Sequence, residues 1–103
     1  MKINIIRKSL IDPAMPLSAE EYISVAVTVG DFIAEMTKKN HKSVYGTIEN
    51  CIEDALDAFA AGAFYIVNRT HRRRYIRSDE KTDFKENDEL VLIKLKYVRG
   101  IVW

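Results

Sequence analysis

Apolar and polar residues interleave from the first positions of the chain. Ile3, Ile5 and Ile6 stand among polar neighbours between Lys2 and Leu10, the pattern of a short β-strand half buried on a core. Asp12-Pro13-Ala14-Met15-Pro16 interrupts it, because two prolines remove backbone donors and restrict the residues before them. Alternation resumes from Glu21 to Val27. Ile23, Val25 and Val27 share one face and Tyr22, Ser24 and Ala26 the other, which predicts a second strand.

The period then lengthens. Val29, Phe32, Ile33 and Met36 recur at helical spacing, so a helix is expected from about Val29 to Lys39. Thr28 suits its N-cap, Asp31 completes a short capping box, and Val27 with Phe32 predicts a hydrophobic staple. Lys38, Lys39, His41 and Lys42 gather at the C-terminal end, where cations complement the helix dipole. A second amphipathic helix follows, capped by Thr47 and ended by Gly62 in the left-handed conformation. Ile48, Ile52, Ala55, Leu56 and Phe59 form its apolar stripe, and Glu49, Glu53, Asp54 and Asp57 lie largely off it.

The last third returns to strands. Phe64 to Val67 is rich in aromatic and β-branched residues, Asn68-Arg69-Thr70-His71 turns the chain, and Arg73 to Arg77 is expected to pair back around Tyr75. Ser78 to Glu89 is highly charged with Phe84 as its lone apolar anchor. A final strand is predicted over Leu90 to Val98, with Val91, Ile93, Leu95 and Tyr97 on one face and Lys94 and Lys96 on the other.

Composition fits one soluble globular domain across residues 1–103, long enough for a single core. Sixteen basic and fifteen acidic residues nearly cancel, so overall charge predicts neither a nucleic-acid nor a membrane partner. Cys51 is the only cysteine, which excludes an intramolecular disulfide and suits a reducing, cytoplasmic setting. The first residues lack the apolar run of a signal peptide or a membrane span.

Three short matches carry a family resemblance. Thr28-Val29-Gly30-Asp31-Phe32-Ile33 looks like a TV-x-D-L-L helix opening, Ile66-Val67-Asn68 like a V-x-V-N strand before a hairpin, and Asn87-Asp88-Glu89-Leu90-Val91 like a G-D-E-V approach to a last strand. In this order they resemble the β-grasp or ubiquitin-like fold, and within it the sulfur-carrier proteins of thiamine and molybdopterin synthesis. The resemblance implies an α+β fold, a mixed sheet of four to five strands with a main helix, to which this chain adds an amphipathic helix. Members that carry sulfur or modify proteins end in Gly-Gly, whereas this sequence ends Tyr97-Val98-Arg99-Gly100-Ile101-Val102-Trp103. Carrier or modifier chemistry would require trimming at Gly100.

The functional expectation is therefore a small non-catalytic interaction module or adaptor subunit, with a protein partner or a second copy of itself. Tyr97, Val98, Gly100, Ile101, Val102 and Trp103 are its candidate partner-binding residues, because an apolar end carrying a tryptophan must pack on something. The alternative is a nucleic-acid-binding module in which Arg69, Arg72, Arg73 and Arg74 meet phosphates and Tyr75 stacks on a base. Against it stands a solvated hairpin whose arginines pair with Asp79, Glu80 or Asp83. Cys51 reads as small core filler rather than a reactive thiol, and the acidic side of the second helix as a solvated face. No phosphate-binding glycine loop, nucleophile elbow or paired-histidine metal motif is present, so no catalytic residue, cofactor or metal site is expected.

Overall fold

The computed structural model describes residues 1–11, 18–41 and 46–96. Within them the chain forms an α+β fold: β1 (Lys2–Ser9), β2 (Ser18–Ile23), α1 (Val29–Asn40), α2 (Ile48–Ala60), β3 (Phe64–Asn68), β4 (Arg73–Tyr75) and β5 (Glu89–Lys94). The five strands make one mixed sheet in the order β2-β1-β5-β3-β4. The first and last strands run parallel at its centre, with Ile5 opposite Leu90 and Arg7 opposite Leu92. Antiparallel pairs flank them, β1 with β2 on one side and β5 with β3 and then β4 on the other.

Successive strand residues point to opposite faces of a sheet, so each strand is divided between two environments. Ile3, Ile5, Phe64, Ile66, Leu90 and Leu92 face the helices and join Phe32, Ile33, Met36, Cys51, Ala55 and Phe59 in one core. Phe59 meets Phe64 at 5.5 Å between ring centroids, and Phe32 meets Phe84 edge-on at 5.3 Å. Phe84 is thus the anchor that its isolation in a charged stretch implied. Cys51 is buried in the same core.

The helix ends follow local chemistry. The Asp31 N–H donates to Thr28 Oγ1 and the Thr28 N–H donates back to Asp31 Oδ2, a complete capping box. The segment after β4 extends this cap: Val29 N–H donates to the Glu80 carbonyl and Gly30 N–H to that of Ser78. A Cβ at Gly30 would lie 3.2 Å from the Ser78 oxygen, so glycine permits this close approach. At the end of α2, Gly62 sits at φ +75. Its N–H and that of Ala63 bond back to the Phe59 and Ala58 carbonyls, the Schellman arrangement.

Four sequence expectations are corrected. The second strand lies at Ser18–Ile23 instead of Glu21–Val27, and Val25 and Val27 follow it as exposed residues, 82% and 62% accessible. Polar bonds hold that extended segment: Ser24 Oγ and Val25 N–H donate to the Glu35 carboxylate, and Thr82 bonds the Ala26 and Val27 carbonyls. Exposed, Val27 supplies no buried staple, and Phe32 packs on Phe84 instead. The buried side of α2 is Cys51, Ala55 and Phe59; Ile52 and Leu56 are half-buried at its margin and Ile48 is exposed. The last strand ends at Lys94 instead of reaching Val98; within it Val91 and Ile93 share one face as expected, opposite the buried Leu90 and Leu92.

Candidate functional site

The face of the sheet away from the helices is the first candidate. Strand register lines up Ile6, Val91 and Val67 across three central strands, ending at Arg74 on β4. The neighbouring row places Lys8 opposite Ile93 and Ile93 opposite Tyr65. Ile6, Tyr65, Val67, Val91 and Ile93 are half-buried by one another, and Lys8 and Arg74 stand exposed at the two sides. The Arg74 guanidinium lies 3.7 Å from the centre of the Tyr65 ring, a cation–π contact that flattens the arginine onto the face. Both helices contribute their buried residues to the opposite side, and among the described residues no helix covers this apolar strip.

The basic run does not form one surface. Arg69 reaches Glu89 at 3.0 Å, Arg73 lies near Glu80 and Asp83, and Arg77 pairs with Asp79 at 2.6 Å. Alternation along β4 sends Arg73 to the helix side and Arg74 to the outer face. Arg72 occupies the hairpin tip at φ 54, a left-handed conformation unusual for arginine. Tyr75 is only 2% accessible, and its hydroxyl donates to the Thr82 carbonyl at 2.6 Å. Its ring is enclosed against Phe84 and cannot stack on a base, which corrects the role expected for it.

A polar cluster at the same end of the sheet went unread in the sequence. Asp88 is buried where the chain enters β5, and its carboxylate accepts from Asn68 Nδ2 at 2.8 Å and from Lys85 N–H at 2.9 Å. His71 Nε2 approaches its other oxygen at 2.9 Å, while the His71 N–H donates to Asn68 Oδ1. Burial alone would push the Asp88 carboxyl up. The donors from Lys85, Asn68 and His71 outweigh it and hold the group below its ordinary value. The network ties the β3–β4 hairpin to the corner before β5. It borders a cleft of about 200 Å³ lined by Asn68, His71, Arg73, Tyr75, Thr82, Asp83 and Lys85.

The partner-binding candidates Tyr97, Val98, Gly100, Ile101, Val102 and Trp103 lie outside the described residues. Among the described residues, no group of three or more His, Cys, Asp or Glu side chains is placed to hold a metal ion. No described helix is long and apolar enough to cross a membrane. Comparison with protein families, with characterised proteins and with solved structures finds no match to the chain.

Proposed function

We propose that this protein is a non-catalytic interaction module of the β-grasp, ubiquitin-like type, and that it docks another protein on the outer face of its sheet. The order β2-β1-β5-β3-β4, with first and last strands parallel at the centre, supports the β-grasp reading. The helix α1 behind the sheet supports it too, with α2 as an addition. The observation that carries the function is the outer strip itself. Ile6, Tyr65, Val67, Val91 and Ile93 form an apolar band across the central strands, flanked by Lys8 and Arg74. Apolar side chains inside a charged border, with Lys8 and Arg74 at two sides and Glu21 and Glu89 on the same face, suit a partner with an apolar anchor and charged flanks.

The hairpin favours this reading over nucleic-acid binding. Its arginines leave on different faces, several are paired with carboxylates, and its tyrosine is enclosed, so no continuous track for a phosphate backbone forms. Affinity capture from the native host tests the proposal, comparing the full chain with a chain truncated after Gly100. Docking on the outer face predicts that both retain the same partner. Loss of the partner on truncation would transfer the role to the C-terminal residues.

A further inference from the structure

Alternation assigns each charged strand residue to one face of the sheet, and on the outer face the charges do not balance. Strand register places Lys2, Lys8, Glu21, Glu89 and Arg74 there. Both carboxylates are matched from within the chain. Glu21 lies 3.7 Å from Lys2, and Glu89 lies 3.0 Å from Arg69, which follows β3. Lys8 and Arg74 are left over: both are exposed, and neither is joined to a carboxylate among the described residues.

Arg74 is also held in position. Its guanidinium lies 3.7 Å from the centre of the Tyr65 ring, and Tyr65 is itself half-buried in the strip. Contact with the ring engages the π face and leaves the N–H donors, so the head group keeps its capacity for a two-pronged bond to a carboxylate. Its neighbours along the chain differ, since Arg69, Arg73 and Arg77 already face Glu89, Glu80 and Asp79. A side chain that is ordered before binding loses less freedom when a partner arrives.

We propose that the occupant of the outer face is an amphipathic helix of another protein. Its apolar side chains lie on Val67, Val91 and Ile93, and its carboxylates reach Arg74 on one side and Lys8 on the other. The assignment rests on the docking role of this face and gives its partner a chemistry. A helix fits because β1, β5 and β3 are interior strands whose backbone groups pair with their neighbours, so a segment lying over them must satisfy its own. From β1 to β4 is three strand spacings, about 14 Å, and the rows of Lys8 and Arg74 are offset by two residues, ~7 Å, which sets the two cations roughly 16 Å apart. Along a helix that distance is about eleven residues, or three turns, which returns to the same face. The partner helix is therefore expected to carry acidic residues about three turns apart, with apolar residues on the turns between them.

The test measures affinity of variants of the full chain for the protein that the wild type captures from its native host. Val67→Glu with Ile93→Glu checks the face itself, and unchanged binding there would remove the docking reading and this inference together. With binding lost in that variant, Arg74→Ala is expected to weaken the complex about tenfold, or ~1.4 kcal/mol. Arg74→Lys loses nearly as much, because an ammonium offers no fork, and Lys38→Gln on α1 loses nothing. Carbodiimide coupling is expected to join the Lys8 amine directly to a partner carboxylate. Lys8→Arg abolishes that cross-link, and mass spectrometry places the coupled residue in the partner's sequence. An acidic residue about three turns away on the same helix is expected to restore affinity to Arg74→Glu when it is changed to lysine. Wild-type affinity in Arg74→Ala, or a coupled carboxylate on a strand instead of a helix, would overturn the inference and leave the outer face as the docking surface.

Discussion

The two faces of the sheet are made by the same strands, yet they are built for different ends. On the helix side, Ile3, Ile5, Ile66, Leu90 and Leu92 are almost wholly inaccessible and meet Phe32, Phe59 and Met36. On the other side, Ile6, Val67, Val91 and Ile93 touch only partly and meet charged neighbours at the margins. Burial on folding is the main source of stability, so the first face holds the fold together. The second costs little to expose and leaves apolar area for a partner. A single step along any strand crosses from one role to the other.

The sharpest way to break this contrast is a pair of neighbouring substitutions in β5. Leu92→Ala is expected to lower unfolding free energy by about 3 kcal/mol, since it empties a fully packed site, and Val91→Ala by less than about 1 kcal/mol. Chemical denaturation measures both, and equal losses would mean that the outer face is packed like the inner one. Next in size is the polar clasp at the hairpin end. Asp88→Ala leaves Asn68, Lys85 N–H and His71 without their acceptor and is expected to cost about 2–3 kcal/mol.

The clasp also has a pH signature. The Asp88 carboxyl is held below its ordinary value of 3.8, so its contribution is complete above that value and is lost as pH falls through the depressed folded value. Asp88→Asn should therefore flatten the acid limb of stability against pH. It should not remove it, because Glu20, Asp31 and Glu80 are lowered as well. Tyr75→Phe, which loses the hydroxyl and its bond to Thr82, is expected to cost about 1 kcal/mol. The smallest effect is a gain: Arg72→Gly relieves about 1 kcal/mol of left-handed strain, partly offset by ~0.5 kcal/mol of greater freedom in the unfolded chain. An unchanged or lower melting temperature in that variant would show that Arg72 is held by contacts stronger than its strain.

The elements legible in the sequence were those set by local chemistry. Thr28 with Asp31, Thr47 and Gly62 mark helix ends through bonds a few residues away, and all three act as read. The facing of β5 was not legible, because a central strand is apolar on both sides and alternation then loses its meaning. The segment after β2 failed for the opposite reason. Its clear alternation of Ile23, Val25 and Val27 exposes the apolar side, since Ser24 and Ala26 are tied inward by Glu35 and Thr82. Of the candidate site, the arginines were visible but their division between faces was not, because it depends on the pairing of β4. The Asp88 clasp joins residues up to twenty positions apart and leaves no periodic trace.

The central claim, that the outer face binds a partner while the inner face maintains the fold, is tested most directly by Val67→Glu with Ile93→Glu in one chain. Its affinity for the protein captured from the native host is to be measured beside its thermal unfolding. The account predicts loss of at least about a hundredfold in affinity, near 2.7 kcal/mol, with cooperative unfolding retained. A double variant that folds and binds its partner as tightly as the wild type would contradict it.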